Sequence, residues 1–516
     1  MEGKVSSPER RVFFIAIFIA GLCSIIYELL ISTTSSYFLG DSIKQFSLTI
    51  GVYMAAMGIG SYFTKGFEKN LLDRFVQVEV LLGLIGGASV PILYFAFDRL
   101  STDMYQLLML GLTMLIGVLT GFEVPLLIRM MKEYYPLKTN LANVLSLDYI
   151  GALIATLLFP FLLLPFLGTF RISILFGLIN IGLGVYVYYF FTRQLSMKKK
   201  RWLEATIVSC VLFFALLGSF SGKLLKHWEE NFFLSKVIYS KETPYQHLVL
   251  TQNKEDIRLY INRIIQFSSL DEYRYHEALA LVPLSAAPYK KKALILGGGE
   301  GLLARELLKH ADFEEITIVD LDPTVFEIAK NNHYLKEINE NAMNHPSIKL
   351  EAQDAMQFLK NTNERFDVII ADLPDPSNEA VARLYSTAFY KLANAALTKY
   401  GVFATQASGV FHTNNAFWCI HETIKATGFK EVYPYHTYVP SFGDWGFIVA
   451  ANHPIEPRAL KLTQPTQFLE TNMGKDLFSF EKDIDNPGDI EINHLDRPVL
   501  LEYYLDEWEV WRKEKQ

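Results

Sequence analysis

Ala293-Leu-Ile-Leu-Gly-Gly-Gly-Glu-Gly301 is a short apolar run that follows three lysines, ends in a glycine turn and leads into a helical stretch, Leu302 to His310. A run of this kind reads as a buried strand. Glycines at the helix N-terminus behind it let backbone N–H groups approach a ligand closely. The next strand, Glu315-Ile-Thr-Ile-Val, ends in Asp320, about 20 residues after the glycines, where an acid can accept hydrogen bonds from both ribose hydroxyls. A third, Ile348-Lys-Leu-Glu, ends near Asp354-Ala355, suitably placed to hold an adenine edge, and a fourth, Phe366-Asp-Val-Ile-Ile-Ala, ends in Asp372-Leu-Pro-Asp-Pro376. Ligands of such sheets bind outside the carboxyl ends of parallel strands, so these acids are expected to converge on one crevice.

The alternation of strand and helix over residues 286–455 predicts an α/β Rossmann-like domain of the S-adenosylmethionine-methyltransferase-like kind. Its glycines do not follow Gly-x-Gly-x-x-Gly and no arginine cluster awaits a pyrophosphate, which points away from a dinucleotide and towards an adenosyl sulfonium. Asp372 and Asp375 sit three apart in a proline-stiffened loop. A primary amine is mostly protonated at neutral pH and cannot attack carbon until it loses a proton. One carboxylate can take that proton while the other holds the second ammonium of a diamine. The structural alternative is a pair of turn acids capping the next helix.

Before this domain, Lys236-Val-Ile-Tyr-Ser, His247-Leu-Val-Leu-Thr and Ile257-Arg-Leu-Tyr-Ile suit a small antiparallel sheet, followed by a helix from Asp271 to Pro283. Residues 223–285 are therefore read as a linker, or a short helix leaving the membrane, and a small β subdomain. Residues 456–516 form a polar C-terminal extension whose helix, Arg497 to Trp511, carries Leu500, Leu501, Tyr504 and Trp508 on one face and is read as a packing or homodimer element.

Residues 1–222 are different in kind. They hold 30 charges in 222 positions, against 73 in the remaining 294, and the two parts net +4 and −11. The acidic soluble part argues against nucleic acid as a partner. Seven apolar stretches are predicted to cross a lipid bilayer: Val12 to Ser32, Gln45 to Phe63, Val76 to Phe97, Met104 to Met130, Val144 to Leu167, Ile172 to Phe191 and Leu203 to Phe220. Six further stretches after the first make a cleaved signal peptide the wrong reading. Alternate loops carry 14 Lys and Arg (Lys4, Arg10, Arg11; Lys65, Lys69, Arg74; Arg129, Lys132, Lys138; Arg193, Lys198, Lys199, Lys200, Arg201) against three on the other side (Lys44, Arg99, Arg171). That places the N-terminus in the cytoplasm. Seven crossings then put the soluble part outside, whereas an adenosyl donor is cytosolic; the expectation kept is a multi-pass cell-membrane protein with a cytoplasmic soluble domain. Glu28, Glu79, Glu123 and Asp148 fall within spans, as interhelical pairs or as a path for a cation. Gly58, Gly60, Gly83, Gly86, Gly87 and Ala88 read as helix contact faces. Three cysteines, Cys23, Cys210 and Cys419, exclude a disulfide scaffold and offer no CxxC zinc or redox motif.

Several motifs in order resemble the spermidine synthase (polyamine aminopropyltransferase) family, in particular its membrane-bound bacterial branch. They are Tyr245-Gln246, Gln266-Phe-Ser-Ser-Leu-Asp-Glu-Tyr-Arg-Tyr-His-Glu277, the Gly297 to Gly301 loop, Asp320, Asp354-Ala355, Asp372 to Pro376 and Phe442-Gly-Asp-Trp-Gly446. The resemblance covers roughly Pro244 to Ala450 and extends to the apolar half. It implies transfer of an aminopropyl group from decarboxylated S-adenosylmethionine, a co-substrate and not a bound cofactor, to a polyamine such as putrescine, with release of 5′-methylthioadenosine. By the same resemblance Asp372 is the proton acceptor and Asp375 a polyamine anchor. Gln246, Asp320, Asp354 and Ala355 contact the methylthioadenosine portion, Tyr275 and His276 lie along the polyamine channel, Trp445 walls the aliphatic chain, and no metal is implied. Two positions depart from the family pattern. Glu300 stands where the family usually has an aspartate gripping the donor's amino end, and its extra methylene takes about 1.5 Å of that space. Glu379 stands where a proline commonly lines the nucleoside site. The competing readings are a methyltransferase on the same fold and a membrane polyamine transporter or sensor with a ligand-binding soluble domain.

Overall fold

The computed structural model describes residues 7–39, 42–97, 99–133, 136–191 and 197–514, in two compact units, Met1–Val237 and Ile238–Gln516. Lys4 and Arg193 of the basic loops lie outside the described residues.

The first unit is a bundle of α1 (Ser7–Leu39), α2 (Ser42–Phe63), α3 (Leu71–Phe97), α4 (Thr102–Met130), α5 (Leu137–Leu158), α6 (Leu164–Phe190) and α7 (Met197–Phe233). Among the described residues, six stretches are long and apolar enough to cross a membrane, by length and composition. One of them, Leu137–Phe190, is 54 residues long. A straight helix of that length would measure about 80 Å, more than twice a hydrocarbon core. It contains the span read at Val144–Leu167 and all but the last residue of that read at Ile172–Phe191, and it breaks inside α6 at Gly168, whose φ of 68° is open to glycine without strain. At one end of the bundle Phe38 packs on Tyr94, Phe97, Tyr105 and Trp228. At the other, Phe13 meets Phe191 and Tyr188 donates to Glu204. The start of α1 and the end of α7 therefore lie at opposite ends. The stretch 223–235, expected to be a linker or short helix, continues α7 to Phe233, because neither Gly nor Pro interrupts residues 223–233.

Small residues set the helix approach. A Cβ on Gly60 would lie 2.1 Å from the Val118 carbonyl oxygen, and one on Gly83 2.6 Å from that of Gly177. Gly58 faces open space instead. Glu79 and Glu123 are buried and hydrogen-bond each other, and Asn180 Nδ2 donates to Glu79 Oε2 at 3.0 Å, so this pair ties α3, α4 and α6 together.

The second unit opens with four strands, β1 (Lys236–Glu242), β2 (His247–Asn253), β3 (Asp256–Ile261) and β4 (Ile264–Ser268), in sheet order β1-β2-β3-β4, with β2–β3 and β3–β4 antiparallel. There follow α8 (Glu272–Ala286), β5 (Lys292–Gly297), α9 (Leu302–His310), β6 (Glu315–Asp320), α10 (Pro323–Asn331), α11 (His333–Ile338), β7 (Ile348–Ala352), α12 (Ala355–Asn361), β8 (Phe366–Asp372), α13 (Glu379–Ala382), α14 (Thr387–Ala396), β9 (Leu397–Gly409), α15 (Asn414–Lys425), β10 (Glu431–Val439), β11 (Gly443–Ala451), α16 (Gly474–Leu477) and α17 (Val499–Glu514). The seven-stranded sheet runs β10-β11-β9-β8-β5-β6-β7, parallel from β9 to β7, with β11 antiparallel to β9 and to β10.

Both faces of β5 are covered, which is why its sequence is apolar without alternation. Ala293 and Ile295 join the core beneath α8 and α9; Leu294 and Leu296 join the one beneath α14 and α15. Residues after Pro454 supply both faces. Leu460, Leu469 and Leu477 pack on the first, and Leu500 and Tyr504 of α17 on the second. Between the two roles read for the C-terminal helix, packing within its own chain is the one observed.

Candidate active site

The glycine turn is shaped by what it must pass. Gly297 and Gly298 have φ of 86° and 60°, and a Cβ on Gly297 would sit 2.0 Å from the Asp372 carbonyl oxygen. A larger residue would push β5 off β8. The Gly299 N–H donates to Asp320, and Asp320 Oδ1 also accepts from the Asp322 N–H at 3.0 Å. The loop is thereby folded over the end of β6.

Four of the expected side chains meet at the ends of β5 and β8. Tyr275 Oη donates to Asp372 Oδ1 at 2.6 Å. His276 Nε2 is 3.8 Å from Glu300 Oε1, and donor atoms of His276, Glu300 and Asp372 lie within 4.8 Å of one another. That spacing is tight enough to hold a metal ion. A cationic nitrogen would satisfy the same carboxylates.

The other expected residues make contacts of their own. Gln246 Nε2 donates at 3.2 Å to Asp322 Oδ2, which also accepts from Thr243 Oγ1 at 2.8 Å, so Gln246 reaches the end of β6 through Asp322. Asp354 caps α12 by accepting from the Gln357 N–H at 2.9 Å and pairs with Arg383, and Ala355 is the first residue of that helix. Asp375 accepts from Tyr504 Oη at 3.0 Å. Glu379 opens α13, one residue after its cap Asn378. Trp445 packs against Phe442, with ring centroids 5.1 Å apart.

Several of these buried acids are held above their usual range. Burial and the neighbouring Asp372 push Glu300 up to about 7. Burial pushes Asp320 and Asp375 up to about 6 each, and Asp372 up as well, the last partly offset by His276 and Tyr275. For a carboxyl raised in this way, the folded state gains relative to the unfolded one at low pH and loses that gain as pH rises through 6 to 7. A cation placed beside these carboxyls would favour their charged forms and offset the penalty.

Sequence reasoning missed the support behind this centre. Glu272, at the start of α8, accepts from Arg305 Nη1 and Nη2 at 2.8 and 2.9 Å and sits 2.7 Å from His276 Nδ1. All three are buried. Burial alone would raise Glu272, yet the bonds from His276 and Arg305 outweigh it and hold the carboxyl at about 2. His276 Nδ1 is thus committed to Glu272 and Nε2 is left facing Glu300 and Asp372. Gln406 Nε2 donates to the Leu373 carbonyl at 2.7 Å, and Tyr385 Oη to that of Pro374 at 2.9 Å, fixing the loop that carries both aspartates. Glu272 lies inside a quoted motif. Nothing marks Arg305, Tyr385 or Gln406 locally, since their partners are 33, 11 and 33 residues away.

A largely parallel sheet with a glycine turn after its first strand, an acid at the end of the second and paired aspartates at the end of the fourth defines a Rossmann-like, methyltransferase-like transferase. The spermine/spermidine synthase domain model matches residues 272–458. The chain is 38% identical over 504 residues to a polyamine aminopropyltransferase of Leptospira interrogans, covering 97% of this chain and 99% of that one. It is 39% identical over 508 residues to polyamine aminopropyltransferase 2 of Ralstonia nicotianae, covering 97% and 98%. Among solved structures, the spermidine synthase of Thermotoga maritima is similar at 26% identity with a TM-score of 0.44, covering 48% of this chain and 84% of that one. The chain belongs to the polyamine aminopropyltransferase family.

Proposed function

We propose that the protein transfers the aminopropyl group of decarboxylated S-adenosylmethionine to a diamine, putrescine first among them, and releases 5′-methylthioadenosine. The observation that carries this reading is the Tyr275–Asp372 bond beside His276 and Glu300. The deprotonated nitrogen of the acceptor attacks the methylene carbon next to the donor's sulfonium. The new C–N bond forms as the C–S bond breaks, the sulfur leaves as a neutral thioether, and the nitrogen's proton passes to Asp372. Asp320 and Asp354, at the ends of β6 and β7, hold ribose and adenine, and Asp375 takes the acceptor's second ammonium.

Glu300 sets donor choice. Its buried Oε1 has no hydrogen-bond partner among the described residues, and it suits the donor's ammonium while repelling the carboxylate that ordinary S-adenosylmethionine adds. Wild type is expected to turn over the decarboxylated donor and not the ordinary one. Glu300→Gln is expected to lower kcat/KM for the decarboxylated donor by roughly one to three orders of magnitude, the usual cost of unpairing a buried charge. Methyl transfer by wild type without thioether release would overturn the proposal in favour of a methyltransferase.

The apolar bundle is read as crossing the cell membrane, on the strength of its six long apolar stretches. We place the second unit on the cytoplasmic side, where adenosyl donors are made. The 14-to-3 bias of loop charges with an odd number of crossings favours the opposite side. An alkaline phosphatase fused after Gln516 is expected to be inactive in cells, and an active fusion would reverse the placement.

A further inference from the structure

The helix α17 lies beyond the matched family domain, which ends at residue 458, yet one of its side chains reaches the acceptor's anchor. Tyr504 is buried at 6% exposure and donates through Oη to Asp375 Oδ2 at 3.0 Å. The other carboxylate oxygen, Oδ1, is buried and has no hydrogen-bond partner among the described residues. The Tyr504 hydroxyl on Oδ2, with Ser408 and Gln406 also bonding to this carboxyl, fixes the rotation of the carboxylate and leaves Oδ1 for a ligand. A buried acceptor without a partner carries a desolvation penalty, which an incoming ammonium removes.

The helix is fastened so that this contact is reproducible. Glu507, one turn on from Tyr504, accepts from the Asn415 and Ala416 N–H groups at 2.8 and 3.3 Å, capping α15 from outside. Trp508 stacks on His412 with ring centroids 6.0 Å apart and planes at 28°. Leu500 is fully buried in the core under the sheet. Across the carboxylate, Ser408 and Gln406 flank Asp375, and Ser408 holds φ at 68°, a conformation disfavoured for a serine that positions its side chain at the end of β9.

We propose that Tyr504 is a positioning residue for the acceptor: it orients Asp375 so that Oδ1 takes the distal ammonium of a diamine, which makes the C-terminal helix part of the acceptor site. The inference rests on the aminopropyl-transfer reading above. Removing the hydroxyl leaves the donor pocket and Asp372 untouched. It also withdraws a hydrogen bond that favours the ionised form of Asp375, so this carboxyl rises further and is protonated to higher pH.

The test is the kinetics of Tyr504→Phe in the full-length, detergent-solubilised protein, beside Tyr503→Phe on the same helix. Wild type is assayed first. Failure of wild type to form any aminopropyl product sinks the underlying reading and says so separately. On active wild type, Tyr504→Phe is expected to raise KM for putrescine roughly tenfold or more, with KM for the decarboxylated donor and kcat within about twofold. The acid limb of kcat/KM for putrescine is expected to move to higher pH, and Tyr503→Phe to match wild type throughout. Equal losses with both substrates, a fall confined to kcat, or an unchanged KM for putrescine with an unmoved acid limb would each overturn the proposal.

Discussion

Asp372→Asn is expected to reduce kcat by two to four orders of magnitude, the usual span for removing a positioned proton acceptor, with KM for the donor close to wild type. The substitution conserves shape. Its Oδ1 still accepts the Tyr275 hydroxyl, and Gly297 still passes the same backbone carbonyl. What is lost is the oxygen that carries charge and takes the proton. A steady-state assay at saturating putrescine reads the effect, and turnover within tenfold of wild type would remove Asp372 from the role of base. The effect should persist at high pH, because an amide does not become a base at any accessible pH.

Arg305→Met is the substitution with the largest expected effect on stability. It removes both guanidinium bonds to Glu272, one at 2.7 Å to buried Glu306 and one at 2.8 Å to the Ile338 carbonyl, and leaves the Glu272 carboxylate buried beside His276. Breaking a buried ion pair from one side costs about 3–5 kcal/mol. For a unit of this size that corresponds to a fall in melting temperature on the order of 6–15 °C, readable by near-ultraviolet circular dichroism in detergent. The pH dependence has a definite sign. Glu272 titrates near 2 when folded, below its ordinary value, so its contribution is present above the ordinary carboxylate range and lost as pH falls towards 2. In Arg305→Met part of that contribution is absent at neutral pH, and the variant's deficit should shrink on acidification. A melting temperature within about 2 °C of wild type would show that the network carries no net stability.

The sheet was legible because its strands are bounded by chemistry. The three lysines before Ala293, the glycines after Leu296 and the acids closing β6 and β8 mark each end, and burial on both faces forbids alternation. Asp320, Asp354, Asp372 and Asp375 stand out in the sequence for the same reason, since each closes or follows a strand. The support does not. Arg305 reads as an ordinary helical arginine until α8 is laid against α9. Tyr504 was visible only as one member of an apolar face, because nothing in the helical pattern says that its hydroxyl ends on a carboxylate 129 residues away. The stretch beyond Gly222 reads as either linker or short helix because hydropathy falls there while helix propensity does not, and only the structure shows it as one helix with the preceding span. Gly168 does not interrupt the apolar pattern, yet the break it makes inside α6 falls between the two expected spans that end at Leu167 and begin at Ile172.

The most direct measurement is product analysis by mass spectrometry after incubating the purified, full-length protein with decarboxylated S-adenosylmethionine and putrescine. Spermidine and 5′-methylthioadenosine should appear in equal amounts, and neither should appear when ordinary S-adenosylmethionine replaces the donor. A methylated amine, or the absence of 5′-methylthioadenosine with a folded protein and both substrates present, would contradict aminopropyl transfer.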